Sequence, residues 1–285
     1  MSYRLLLLCI ALAFMPALSA AAQDGATLER IRSKGVITLG YIDGAAPFSS
    51  AGANQQPQGY SVDLCREIAK GIQTQLNLPK LDMRWVALTI QNRLEAVSTG
   101  RVDLECSTTT RTLSRQAQVD FSLMTFVDGG SILTRSASSA RRLLDFAGKR
   151  VAVISGTTTE RVLRESLAAR SINAEVVTVG SRPEGLKLVE AGKVDGFAAD
   201  RTTLIGLMSA HPSGSFSLLD EDFSIEPYAF ALARGDADFR LAVDRVLARL
   251  YRSGEFRAIY DRWLGKLGPP SLLLSATYLV QGLAE

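Results

Sequence analysis

Strand-like and helix-like segments alternate from residue 35 onward, and near residue 149 the alternation begins again. Residues 35–40 form a short apolar run bounded by glycines, which suits a buried strand. Ser61 then offers an N-cap to a helix whose Cys65, Ile68, Ile72 and Leu76 recur at three- and four-residue spacing. A strand at 83–86, a helix at 91–98 closed by Gly100, and a strand at 102–105 follow. The second series comprises a strand at 149–154, a helix at 159–169, a strand at 174–179, a helix at 183–190, a strand at 194–199 and a helix at 201–208. Such βαβ grammar implies a mostly parallel sheet with helices on both faces. Two such series imply two α/β lobes.

The last third starts no third lobe. A strand at 228–233 precedes two helices, the first with Phe239, Val243, Val246, Leu250 and Tyr251 on one face and Gly254 as its C-cap. Phe256, Ile259, Tyr260 and Trp263 line the second. Without a sheet of their own, these elements are expected to return to the first lobe. Gly268-Pro269-Pro270 ends that unit, and 268–285 reads as a surface extension.

Residues 1–22 read as a secretory signal. Arg4 supplies the positive segment, residues 5–15 an apolar run, and Ala20, Ala21 and Ala22 a small-residue cleavage site before Gln23. An uncleaved anchor would require about 20 apolar residues. The chain is therefore expected in the periplasm. Its net charge of +3 comes without a Lys/Arg-dense block, which argues against nucleic acid as a partner. His211 is the only histidine and reads as an exposed loop residue. Together with the scarcity of cysteine, that argues against a zinc site and a Ser-His-Asp triad. No cofactor is expected. Cys65 and Cys106 can pair in an oxidising compartment, although spacing alone does not bring them together.

In two α/β lobes the ligand site is expected in the cleft at the carboxyl ends of the strands. Three segments bring polar groups there. The first, 105–115, carries Thr108 and Thr110, and Arg115 can fork onto a carboxylate. The second, Ser155-Gly156-Thr157-Thr158, lies at a strand-to-helix turn where exposed N–H groups favour an anion. A plain N-cap at Thr158 or Thr159 would account for it equally well. The third is Asp200, an acceptor suited to an ammonium group or, alternatively, a cap for the following helix. A fork for a carboxylate and an acceptor for an amine together describe an α-amino acid.

The stretches LERIRSKGVITLGYIDGAAPFS, GYSVDLCREIA, QNRLEAVSTGRVDLECSTTTRTLSRQAQVDFS, VAVISGTTTERVL and VDGFAADR resemble the periplasmic solute-binding proteins of polar amino-acid ABC importers (bacterial extracellular solute-binding proteins, family 3). The resemblance implies a two-lobed clamp of the type II periplasmic-binding-protein fold, with hinges near 126–127 and 225–227. The first lobe would then comprise 23–126 and 226–267, and the second 127–225. It implies that Arg115 binds the α-carboxylate, helped by Thr110, backbone groups beside Thr108 and the turn from Ser155 to Thr157. Asp200 would bind the α-ammonium, and Phe48 and Tyr60 would line the first lobe's side of the cleft.

Within the family the chain is most similar to glutamate/aspartate-binding members through LTIQNR, DLECSTTTRTLSRQ and ISGTTTE. That similarity implies that Arg93 contacts a side-chain carboxylate, with Arg182 as a second basic group. Arg93 also suits an exposed helix position. Ile42 stands where acidic-ligand binders usually carry an arginine, and Ile90 where they carry serine. The implied partners are one amino acid and an inner-membrane ABC permease, with the protein a monomer. Two alternatives share the scaffold. One is a cyclohexadienyl dehydratase acting on prephenate or arogenate, with Glu105 or Asp200 as general acid. The other is a ligand sensor for a membrane receptor.

Overall fold

The computed structural model describes residues 25–284, so the signal segment read at 1–22 lies outside the described residues. Two five-stranded sheets organise the chain. The first runs in the order Asp82–Leu88, Val36–Ile42, Leu104–Glu105, Glu226–Ala233, Val119–Asp128. The second runs Phe216–Leu218, Gly130–Arg135, Gly196–Asp200, Arg150–Ile154, Glu175–Val179. In each sheet four strands point one way and one is reversed, namely Glu226–Ala233 and Gly130–Arg135.

The chain crosses between sheets twice, side by side. Val119–Asp128 ends in the first sheet and Gly130–Arg135 opens in the second, with Gly129 alone between them. Glu226–Ala233 brings the chain back and pairs with the outgoing strand, Glu226 opposite Asp128 and Pro227 opposite Val127. Three strands at this seam and beyond it, Val119–Asp128, Gly130–Arg135 and Phe216–Leu218, have no counterpart in the sequence-derived pattern. Each is paired antiparallel, whereas βαβ units place their strands in parallel.

The helix Tyr60–Gln75 buries Cys65, Ile68 and Ile72, as the spacing predicts, with Leu76 buried just past its end. It begins two residues earlier than expected, with Gly59 rather than Ser61 at the N-cap position. Gly59 precedes it at φ 133, and a β-carbon there would lie 2.1 Å from the Phe48 carbonyl oxygen, so only glycine fits. Ser61 Oγ instead donates to the Ser107 carbonyl, fastening the helix to the segment that follows Leu104–Glu105. Cys65 and Cys106 are joined in a disulfide across the same junction.

The residues after Gly268 are not a surface extension. They form the helix Leu272–Gln281, which packs Leu274 and Tyr278 into the first lobe's core. Tyr278 Oη shares a hydrogen bond with Tyr60 Oη (2.8 Å) and donates to the Thr125 carbonyl (3.0 Å). The Gln281 amide meets both backbone groups of Met124, accepting from its N–H and donating to its C=O. Met124 lies on the edge strand of the first sheet, so this helix covers an otherwise unpaired edge. Tyr278→Phe is expected to lower stability by about 1 kcal/mol through the lost hydroxyl bonds. An unchanged denaturant midpoint would show that the helix end is not anchored there.

Candidate functional site

The site lies where the two lobes meet. Lobe one contributes the segment after Leu104–Glu105: Glu105, Ser107, Thr108, Thr109 and Thr110 are all buried. Thr112 then caps the short helix Leu113–Gln116 by accepting from the Arg115 N–H. That cap turns Arg115 inward, where one guanidinium nitrogen donates to the Thr110 carbonyl at 2.7 Å. Burial, and then Arg93 nearby, push the Arg115 pKa down to about 10, which leaves it charged at neutral pH.

Arg93 opens the helix Arg93–Ser98 and is only 5 % exposed, so the exposed-helix alternative fails. From lobe two, Arg182 opens the helix Arg182–Glu190, capped by Ser181, and is also buried. Desolvation lowers its pKa while Asp200 counters the shift. Asp200 occupies the N-cap position of the helix Arg201–Ser209 but makes no capping bond. Its carboxylate accepts from Thr159 Oγ1 instead and lies within the electrostatic reach of Arg115, Arg182 and Glu226. Arg93, Arg115, Arg182 and Asp200 thus form one cluster drawn from both lobes.

The lobes touch around this cluster. Thr110 Oγ1 lies 3.2 Å from Thr158 Oγ1, and both donate to Glu226 Oε2. Gln91 Nε2 donates to the Gly180 carbonyl across the cleft mouth. Ile90 packs against apolar clusters of both lobes, and Ile42 is buried with Leu88 in lobe one. Ile42, Leu88, Ile90 and Arg182 line a cavity of about 250 Å³ at this junction.

In the turn expected to help bind the carboxylate, the Ser155 N–H and the Thr157 hydroxyl are engaged within lobe two. The Ser155 N–H donates to the Val179 carbonyl, and Thr157 Oγ1 caps Glu160 N while donating to the Ile154 carbonyl. The hydroxyl that reaches the inter-lobe contact belongs to Thr158. Phe48 and Tyr60 are fully buried in an aromatic cluster with Phe126 and Tyr228 on the first lobe's side of the junction. His211 is half-buried and contacts the Leu207 carbonyl and Glu190, apart from the cluster.

Two acidic residues of the cluster, Glu226 and Asp128, are not identified as site residues by the sequence. Glu226 begins the returning strand, accepts from Thr110, Thr158 and Ser224, and has its pKa raised by burial and by Asp200. Asp128 ends the outgoing strand and accepts from Thr202 and Tyr228 Oη; burial, then Asp200, push it up to about 7. An acidic residue inside an otherwise apolar strand was the available signal for Glu226. Glu105 is completely buried and neither carboxylate oxygen makes a well-formed hydrogen bond among the described residues; desolvation raises its pKa against the pull of Arg93, the adjacent Thr109 hydroxyl and Arg115. Arg93 Nε, Arg182 Nε and the hydroxyls of Ser107, Thr108 and Thr109 also make no well-formed hydrogen bond among the described residues. Buried polar groups are normally paired, and leaving one unpaired costs about 1–3 kcal/mol. Their concentration here marks a site built to meet polar groups from outside the chain.

The family model for bacterial extracellular solute-binding proteins, family 3, matches residues 37–266. The L-glutamate/L-aspartate-binding protein of Pseudomonas aeruginosa is 35% identical over 86% of this chain and 82% of its own. The glutamate/aspartate import solute-binding protein of Salmonella typhimurium is 31% identical over 89% and 86%. Among solved structures, an ancestral amino acid-binding protein described as a precursor of cyclohexadienyl dehydratase superposes with a TM-score of 0.71 at 26% identity, covering 83% of this chain and 98% of that one. The chain belongs to the bacterial extracellular solute-binding proteins, family 3.

Proposed function

We propose that this protein is a periplasmic receptor that clamps a dicarboxylic L-amino acid, glutamate or aspartate, and presents it to an inner-membrane ABC permease. One observation carries the ligand class. Arg93 from lobe one and Arg182 from lobe two are both buried, each with an unpartnered Nε, in the same cluster as Arg115 and Asp200. Arg115 takes the α-carboxylate, with the unpartnered Thr108 hydroxyl beside it. Asp200 takes the α-ammonium. Arg93 and Arg182 take the side-chain carboxylate from opposite lobes. The Pseudomonas and Salmonella relatives, named for the same two ligands, support this reading.

The mechanism is a population shift. A ligand moves the open–closed equilibrium only by its extra affinity for the closed form. Contacts from Asp200 and Arg182 exist only when lobe two has closed on lobe one, so they supply that difference. The Thr110–Thr158–Glu226 contacts complete the closed state. The permease then meets both lobes of one monomer at once, and the ligand leaves unaltered. A signal segment removed after residue 22 places the protein in the periplasm.

The dehydratase alternative retains one physical argument, because buried Glu105 with its raised pKa is the natural proton donor. Binding without chemistry is preferred on the names of the relatives, and absorbance with prephenate decides between the two. Steady turnover would replace the receptor reading. Arg93→Ala is expected to weaken glutamate binding by about tenfold to a hundredfold, the value of a charge-assisted hydrogen bond. Glutamine affinity should change far less. An equal loss for both ligands, measured calorimetrically on protein refolded free of ligand, would remove Arg93 from side-chain recognition.

A further inference from the structure

The helix Leu272–Gln281 is apolar on both sides. Leu274, Thr277, Tyr278 and Gln281 face the core. On the opposite side Leu272 is 88 % exposed, Leu279 81 % and Val280 68 %, with Leu273 and Leu283 half exposed. At 100° per residue, Leu272 and Leu279 lie one above the other, as do Leu273 and Val280, so these side chains share one face. A helix apolar all round is normally covered on both faces.

The neighbouring surface supplies the second half of the argument. Arg245, Arg249 and Arg252, at four- and three-residue spacing, share one stripe of the helix Ala237–Ser253. With Lys70 of the helix Tyr60–Gln75 they line a groove of about 630 Å³. Arg252 donates to the Leu283 carbonyl, which joins the basic stripe to the end of the apolar face. Arg245, Leu241 and Leu283 line a smaller adjoining depression, so the two surfaces are continuous. Glu67 and Glu255 pair with Lys70 and Arg249 at exposed positions, where ion pairs are weak and readily exchanged. Asp244 turns its carboxylate to the Leu123 N–H.

We propose that the outer face of the helix Leu272–Gln281 and the arginine stripe beside it form a docking surface for an anionic phospholipid bilayer. The leucines enter the acyl boundary and the guanidinium groups meet headgroup phosphates, as in helices that lie on membranes. No helix among the described residues is long and apolar enough to cross a membrane, so the contact is peripheral. A second copy is the poorer occupant, since a two-fold contact through this face would bring the arginines of both chains together. Every residue of the surface belongs to the first lobe or to the C-terminal helix packed on it, which leaves lobe two free to open and close. Docking in this way would confine the receptor to the membrane plane where a permease lies.

The test is co-sedimentation of the chain from Gln23 onward, without the apolar leader, with vesicles of equal parts phosphatidylglycerol and phosphatidylcholine, against phosphatidylcholine alone. Binding is expected on the anionic vesicles and should weaken as salt is raised. The pairs Leu279→Asp/Val280→Asp and Arg245→Gln/Arg249→Gln should each reduce it by about tenfold. Both pairs are exposed and remote from the ligand cluster, so unchanged circular dichroism and amino-acid affinity confirm folding. The proposal fails if anionic vesicles do not bind at low salt, or if neither pair alters the binding. It also fails if light scattering finds a dimer that the Leu279→Asp/Val280→Asp pair dissolves.

Discussion

Arg115→Ala is expected to abolish measurable binding of every α-amino acid while leaving the fold intact. Arg115 is held by the Thr112 cap and the Thr110 carbonyl, in a cluster that contains Asp200, Glu226 and Glu105. Its removal leaves a ligand carboxylate buried without its counter-charge. Breaking a buried, hydrogen-bonded charge pair costs about 3–5 kcal/mol, or a few-hundredfold to several-thousandfold in affinity. Arg115→Lys should recover only part of this, because an ammonium cannot form two parallel bonds to a carboxylate. Calorimetric titration with glutamate and glutamine reads the effect. Retained affinity for both would place the α-carboxylate elsewhere.

The Cys65→Ser/Cys106→Ser double variant is expected to show the largest loss of stability. The disulfide closes a loop of 41 residues and ties the first lobe's long helix to the segment that carries Thr108 and Thr110. In the chain-entropy account, a loop of this size contributes about 4 kcal/mol. For a protein of this length that corresponds to a Tm lower by about 10 °C. Calorimetry of the oxidised and reduced wild type, alongside the variant, tests it. Identical unfolding of the two wild-type forms would mean that the bond carries no stability. The ligand affinity of the variant reports separately on whether the bond also positions the threonine segment.

The structure and the sequence agree most where one physical signal dominates. Helix faces such as Cys65–Ile68–Ile72 and Phe239–Val243–Val246 carry a strong 3.6-residue period and are buried as expected. The placement of Arg115 and Asp200 between the lobes was legible because each lies at or beyond the carboxyl end of a strand in an α/β pattern. Val119–Asp128 and Gly130–Arg135 were not, because a strand pair that leaves one sheet for another has no crossover helix to announce it. The glycine-containing turn at 155–158 is ambiguous in sequence because an anion site and a plain N-cap at Thr158 or Thr159 look alike. Only the three-dimensional arrangement assigns the cap to Thr157 and the inter-lobe hydroxyl to Thr158.

The C-terminal segment shows the opposite failure. Gly268-Pro269-Pro270 is a strong stop signal, yet the chain resumes as a helix and contributes Tyr278 to the aromatic core. The cue was in the composition after all, since residues 272–280 hold five large aliphatic side chains and a tyrosine. Ile42 and Ile90 were noted as departures from the acidic-ligand pattern. In place they belong to an apolar wall facing Arg182, with Ile90 packed against both lobes. The proposed carboxylate preference therefore rests on Arg93 and Arg182.

The most direct measurement is the ratio of glutamine to glutamate dissociation constants for the refolded, ligand-free wild type. The two ligands differ only in the group that Arg93 and Arg182 are proposed to meet. Glutamate should bind with one-to-one stoichiometry and at least about tenfold more tightly, the value of one charge-assisted contact. Equal affinities, or a preference for glutamine, would contradict the assignment of the two arginines and with it the proposed ligand.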